Sequence, residues 1–163
     1  MQRDQPHAQD ADISALLGSV LQLYNERLAS RGITVLTRYR REESLKVYSG
    51  LLRQMFSNLL LNAADAMPDG GTMHVRCTGC HEWNGRHRSG MRVTFADSGC
   101  GIADDHLSRI MEPFFSTKGS DGNGMGMSVV KEVVRKHHGV LCVRSSTKSG
   151  HSGSIFSVFI PAA

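Results

Sequence analysis

Residues 97–126 are rich in glycine and show no sustained apolar periodicity, yet they lie between two strongly patterned segments. An irregular stretch of that length inside a compact domain is uncommon, and where it occurs it is usually functional or mobile. The rest of the chain must therefore close a core while this segment leaves it and returns. Just before the segment, Met91, Val93 and Phe95 alternate with Arg92 and Thr94, the two-residue period of a strand. After it, Met127, Val130 and Val134 recur at helical spacing, which predicts a helix over about 125–138 with Gly139 as its C′ residue.

The remaining pattern supplies that core. Ile13, Leu16, Leu17, Val20, Tyr24 and Leu28 predict a first helix, with Asp10 or Asp12 to cap it and Gly32 to end it. A second helix fits 51–67 and is stopped by Pro68-Asp69-Gly70-Gly71. Strands are expected over 33–39, 72–78, 91–96, 140–145 and 155–160, with a short apolar stretch at Leu45–Tyr48. A short helix fits Asp104 to Met111, and 79–90 is a polar connection holding the only Trp. Residues 1–10 read as a disordered lead-in, and 11–163 as one domain. The order α-β-α-β-β-loop-α-β-β implies an α+β fold: a two-layer α/β sandwich, its sheet mainly antiparallel and its helices on one face.

Composition narrows the function classes. Forty per cent apolar and 21% charged residues suit a soluble domain with one core. No apolar run reaches the ~20 residues that span a membrane, and the polar start lacks a signal-peptide core, so a cytoplasmic domain without membrane contact is expected. The net charge of +4 is mild. The densest basic run, Arg38-Tyr39-Arg40-Arg41, is followed at once by Glu42-Glu43, so no nucleic-acid stripe is visible and no nucleic-acid partner is expected.

Cys77-Thr78-Gly79-Cys80-His81 spells the haem c attachment string. Haem attachment would require export, and zinc would require a second ligand pair, whereas Cys100 and Cys142 are isolated. The string reads as chance.

Three constellations carry chemistry. Asn58, Asn62 and Asp65 share one face of the apolar second helix, as a solvent-facing stripe or as oxygen ligands for a hard cation. Asp97-Ser98-Gly99-Cys100-Gly101-Ile102 follows a strand, as a tight turn or as a carboxylate placed to meet an exocyclic amine. Gly122-Asn123-Gly124-Met125-Gly126 opens the last helix, as a flexible linker or as a phosphate cradle. No G-K-[ST] follows, and no strand immediately precedes these glycines, so neither a P-loop nor a Rossmann fingerprint is present.

Taken in order, these segments resemble the GHKL, or Bergerat-fold, nucleotide-binding domains over nearly the whole chain. QMFSNLLLNAADAM is similar to the N box, DSGCGI to the G1 box, MEPFFSTK to the F box and GNGMGM to the G2 box, and Gly153-Ser154-Ile155-Phe156 resembles the closing strand. The resemblance implies ATP and Mg²⁺ as cofactors. It makes Asn62 the metal ligand and Asp97 the acceptor of the adenine amine, with Ser154 supporting Asp97 directly or through water. Gly99, Gly101 and Ile102 would shape the adenine pocket, and Gly122, Gly124 and Gly126 would hold the phosphates. Residues about 103–124 would be the lid, with Phe114 and Phe115 as its anchor and Lys118 meeting the terminal phosphate. Phe115, Thr117 and Met125 are likewise implied in the pocket, and Asp65 near it.

Hydrolytic members of this superfamily resemble one another in carrying Glu where this chain has Asn58. A carboxylate can take a proton from water and an amide cannot. Asn58 is the histidine-kinase pattern, so the resemblance implies Asn58 and Lys118 as catalytic residues of a protein histidine kinase in two-component signalling. None of the eight histidines lies in a phosphoacceptor string. The implied partners are a separate helical phosphoacceptor domain and, through the full-length kinase, a response regulator, with the domain itself monomeric. A GHKL ATPase, a non-catalytic nucleotide-binding module and a serine kinase of the anti-sigma type are the alternatives.

Overall fold

Asp12 starts the first helix through its side chain, Oδ1 accepting from the N–H groups of Ser14 (2.8 Å) and Ala15 (3.2 Å). The computed structural model describes residues 7–40, 44–83, 85–115 and 125–162. Helix α1 (Ile13–Ser30) ends where Gly32 adopts φ +68°, and the chain turns into β2 (Ile33–Arg40). Strand β3 (Ser44–Val47) pairs antiparallel with β1 (Gln9–Asp12), and α2 (Ser49–Asp65) follows. Strands β4 (Gly71–His81) and β5 (Ser89–Asp97), the short α3 (Asp104–Leu107), α4 (Gly126–Lys136), β6 (Val140–Ser146) and β7 (Gly153–Pro161) complete the described elements.

The main sheet has the order β2-β4-β5-β7-β6; β2 and β4 are parallel and the other pairs antiparallel. One face is apolar because the strand period puts Met73, Val75 and Cys77, Met91, Val93 and Phe95, and Phe156, Val158 and Ile160 on the same side, all buried. Helices α1, α2 and α4 cover that face. Helix α2 lies deepest, burying Leu52, Met55, Phe56, Leu59, Leu60, Ala63 and Ala64, with the Phe56 ring 6.3 Å from that of Phe95. Burial of this aliphatic and Met-rich surface is the main favourable term in the fold. The expected α+β sandwich is what forms.

Three local expectations are corrected. Gln9 and Asp10 belong to β1, so the disordered lead-in expected over 1–10 does not extend to them; residues 1–6 lie outside the described residues. QDAD has little intrinsic strand preference, and its pairing with Leu45–Val47, whose apolar side chains enter the core, makes it a strand. The left-handed residue after α4 is His138 (φ 52°), not Gly139. Gly139 is needed for proximity, since a Cβ there would stand 2.3 Å from the Phe159 carbonyl oxygen. Finally, α3 stops at Leu107, short of the Met111 expected.

Glu82, Trp83 and Arg88 of the connection between β4 and β5 fold onto the opposite sheet face. Arg88 forks onto buried Glu82 (2.6 and 3.0 Å) and donates to the His138 carbonyl (2.9 Å). The Trp83 ring meets Phe159 edge-on at 6.0 Å. No helix among the described residues is long and apolar enough to cross a membrane.

Candidate functional site

Helix α2 carries Asn58 and Asn62 one turn apart, both half-buried, and α4 begins directly opposite them. A Cβ built on Gly126 would stand 3.9 Å from Asn58 Oδ1 and 3.9 Å from Asn62 Oδ1 and Nδ2. No side chain caps the start of α4, so its positive end lies beside two side-chain amides. Amide oxygens suit a hard cation and a helix start suits a phosphate, so this junction fits a metal–phosphate pair. Helix α4 is fixed there by burying Val130, Val133 and Val134.

Asp97 is the last residue of β5 and the register partner of Ser154 on β7. Its Oδ1 accepts from the Gly99 N–H (2.9 Å) and the Ser154 N–H (3.2 Å). Burial pushes the carboxyl above its ordinary value, and those backbone donors oppose the rise. The Ser154 support expected for Asp97 comes from its backbone; its hydroxyl instead meets Ser145 Oγ at 2.8 Å. Ser145 was not singled out by the sequence, yet its hydroxyl also donates to the Gly153 carbonyl (2.9 Å) and accepts from the Ile102 N–H (2.7 Å). Nothing in its strand pattern marks that role.

The 97–102 turn is wedged between α2 and β6. A Cβ on Gly99 would lie 2.4 Å from the Ala66 carbonyl oxygen, and the Cys100 N–H donates to that oxygen at 3.0 Å. Gly101 has φ +75°, and a Cβ there would lie 2.0 Å from the Ser146 carbonyl oxygen. Both glycines thus serve a close approach of the protein to itself. Ser98 Oγ accepts from the Thr72 N–H (2.9 Å), fastening the turn to the start of β4.

Asp65 ends α2 in an ion pair with Arg31 (3.1 Å). Ile102 is partly buried against the core. Phe115 packs edge-on against His106 (5.7 Å) beneath the Arg109 guanidinium (4.5 Å), whereas Phe114 is 78% exposed. Met125 is exposed at the start of α4. Thr117, Lys118, Gly122 and Gly124 lie outside the described residues. The C-x-x-C-H string falls within β4, where Cys77 is buried on the helix side and Cys80, three residues on, takes the other face. Among the described residues no three His, Cys, Asp or Glu side chains gather as a metal site.

Comparison with known proteins adds the lineage. Residues 48–163 match the model of the histidine kinase-, DNA gyrase B- and HSP90-like ATPases. Sporulation kinase A of Bacillus subtilis (strain 168) is 33% identical over 140 residues, which cover 85% of this chain and 22% of that kinase. Sensor histidine kinase ZraS of Escherichia coli (strain K12) is 31% identical over 156 residues, covering 94% of this chain and 31% of that protein. The chain therefore spans less than a third of either relative. The nucleotide-free catalytic domain of histidine kinase ThkA superposes with a TM-score of 0.79 at 20% identity, covering 94% of this chain and 95% of that one. Full-length ShkA in complex with AMPPNP superposes with a TM-score of 0.74 at 27% identity, covering 98% of this chain and 32% of that one. With most of its length matched by the family model, the chain belongs to the histidine kinase-, DNA gyrase B- and HSP90-like ATPase family.

Proposed function

We propose that this domain binds Mg-ATP between α2 and α4 and delivers the terminal phosphoryl group to a histidine on a separate helical domain, as part of two-component signalling. The observation that carries the reading is the pair of amides, Asn58 and Asn62, facing the start of α4 at Gly126. Asn62 is the metal ligand in this reading, and the metal when bound would neutralise charge developing on the phosphates. Both backbone donors converge on Asp97 Oδ1, which leaves Oδ2 to accept from the adenine amine. The amides at Gly126, with those of Gly122 and Gly124, hold phosphate oxygens, and Lys118 meets the terminal one. Ile102, Phe115, Thr117 and Met125 border the nucleotide.

Asn58 decides between transfer and hydrolysis. Its amide has no basic site for a proton from water, so attack by water is slow and an incoming imidazole is favoured. The names of the relatives, a sporulation kinase and sensor histidine kinases, support the same reading. The full-length kinase would act in the cytoplasm on a response regulator, its phosphoacceptor hairpin making the dimer while this domain alone stays monomeric.

The test is transfer. The chain is mixed with γ-labelled ATP, Mg²⁺ and a separately purified phosphoacceptor domain from a matched kinase. Label should reach the acceptor histidine, and Asn62→Ala should abolish transfer while retaining much of the affinity for adenine nucleotide. Rapid release of labelled phosphate without transfer would move the domain to the ATPase branch, and binding with neither would leave a nucleotide-binding module.

A further inference from the structure

The sheet face turned away from the helices collects positive charge from strands far apart in sequence. On this face β2 presents Arg38 and Arg40, β4 presents Arg76 beside the polar His74, β5 presents Arg92 and β6 presents Arg144; the one acidic residue of these strands, Asp97, ends β5 at the rim. Arg38 and Arg76 are direct register partners on the parallel β2–β4 pair. Like charges placed opposite one another on a sheet disfavour the fold, so this pairing works against stability unless something anionic answers it. Arg92 is already engaged over the Trp83 ring at 4.6 Å, and its buried Nε finds no acceptor among the described residues.

A trough continues the face. His74, Ala96, Ile155 and Arg144 form one register row across β4, β5, β7 and β6. Three strand spacings of about 4.8 Å separate its two ends by roughly 14 Å. The small Ala96 side chain and Ile155 floor an open cleft of about 410 Å³ between them, whose far end is lined by Asp97, Ser98 and Ser154. Ile155 is 43% exposed, and Leu36, on β2 beside the arginines, is 48% exposed.

We infer that this face is a docking surface for an acidic protein segment. Its carboxylates would fork onto Arg38 and Arg76 and onto Arg144, and an apolar side chain would cover Ile155. Guanidinium forks suit carboxylates, and arginine interleaved with exposed aliphatics and free of lysine is the composition of a protein interface. A single strand of nucleic acid would call for a free stacking ring, yet Trp83, 38% exposed, is held against Phe159 and beneath Arg92. Arg38, Arg76 and Arg144 lie across the sheet from Asn58, Asn62 and Gly126 and do not depend on the assignment of that site, although the trough ends at Asp97 and Ser154.

The experiment uses a fluorescein-labelled peptide of Glu, Leu and Ala, about twenty residues long, with anisotropy as the readout at low ionic strength. Arg38→Glu with Arg76→Glu should weaken binding at least about tenfold, and Arg144→Glu should weaken it separately. Arg27→Glu with Arg53→Glu makes the same charge change on the helical layer and should alter binding by less than about twofold. Far-ultraviolet circular dichroism checks folding, and Arg38→Gln with Arg76→Gln repeats the test without charge reversal. Equal losses in the sheet and helix variants would reduce the effect to net charge and overturn the proposal. No binding by the wild-type chain would overturn it as well. Tighter binding of oligothymidylate, or of vesicles of phosphatidylglycerol and phosphatidylcholine, would overturn it in favour of a nucleic acid or a membrane.

Discussion

The buried ring of His137 joins the end of α4 to the start of α2, its Nε2 accepting from the Tyr48 N–H at 3.1 Å. Its Nδ1 lies 2.8 Å from the Val133 carbonyl oxygen, so the neutral tautomer with the proton on Nδ1 satisfies both neighbours. The Tyr48 ring packs edge-on against it at 5.5 Å, beneath the Lys136 ammonium. A proton on Nε2 would face the Tyr48 N–H and break that join.

Burial holds His137 below its ordinary value of 6.5; the Val133 carbonyl opposes this, and Lys136 and His138 reinforce it. Below that value the unfolded chain binds the proton that the folded chain refuses, so the stabilisation is present above about pH 6.5 and is lost as pH falls. Urea unfolding of the wild type between pH 8 and pH 5 should show this loss, and His137→Gln should flatten it. At neutral pH, His137→Ala should cost about 1–3 kcal/mol by leaving the partly buried Tyr48 N–H unmet. A wild-type profile that matches His137→Gln would remove His137 from the account.

Asp97→Ala and Asp97→Asn should weaken ADP binding about tenfold or more, since a hydrogen bond to a charged group contributes roughly 1.5–3 kcal/mol. Because burial raises the Asp97 carboxyl, affinity should begin to fall on acidification at a pH above the ordinary aspartate range. Isothermal titration across pH follows both effects. Unchanged affinity in a folded Asp97 variant would remove this residue from the adenine contact.

Gly101→Ala should be severely destabilising, because it combines φ +75° with a Cβ 2.0 Å from the Ser146 carbonyl oxygen. Gly99→Ala should also destabilise, by forcing its turn off Ala66. Gly18→Ala within α1 meets nothing within 4 Å and should instead stabilise by about 0.5–1 kcal/mol. Thermal denaturation of the three variants, compared without nucleotide, separates packing from ligand contact.

If the lack of a base at Asn58 limits hydrolysis, Asn58→Glu should raise the ATPase rate by less than the 10²–10⁴-fold that general-base catalysis can supply, because the water must also be positioned. Phosphate release by the variant and the wild type under saturating Mg-ATP is the measurement. Fast metal-dependent turnover by the wild type itself would contradict the role given to Asn58.

Much of this architecture could be read directly from residue spacing. The alternation of Met91, Val93 and Phe95 marked β5, and the 3.6-residue recurrence of Ile13 to Leu28 marked α1, because each face meets a uniformly apolar layer. The segments proposed to meet the nucleotide were equally visible, with Asn58 and Asn62 on a helix and Asp97 at a strand end. What escaped depends on neighbours distant in the chain. Ser145 looks like any strand serine until β6 lies beside Ile102, and QDAD becomes a strand only against β3. The basic face was missed for the same reason. The sequence shows no basic stripe, whereas the order β2-β4-β5-β7-β6 sets Arg38 beside Arg76 and brings Arg144 onto the same surface.

On the reading proposed for Asp97, its pairing with Ser154 makes ligand recognition a gauge of folding fidelity. A slip of two residues between β5 and β7 would keep every apolar side chain on its own face. Such a molecule would retain a closed core and an ordinary helical spectrum. Its carboxylate, however, would be displaced by about 7 Å along the strand, away from the amide that aims it. On that reading misregistered chains would lose the adenine contact, so the fraction of a preparation that titrates counts the molecules whose sheet has closed in the correct register.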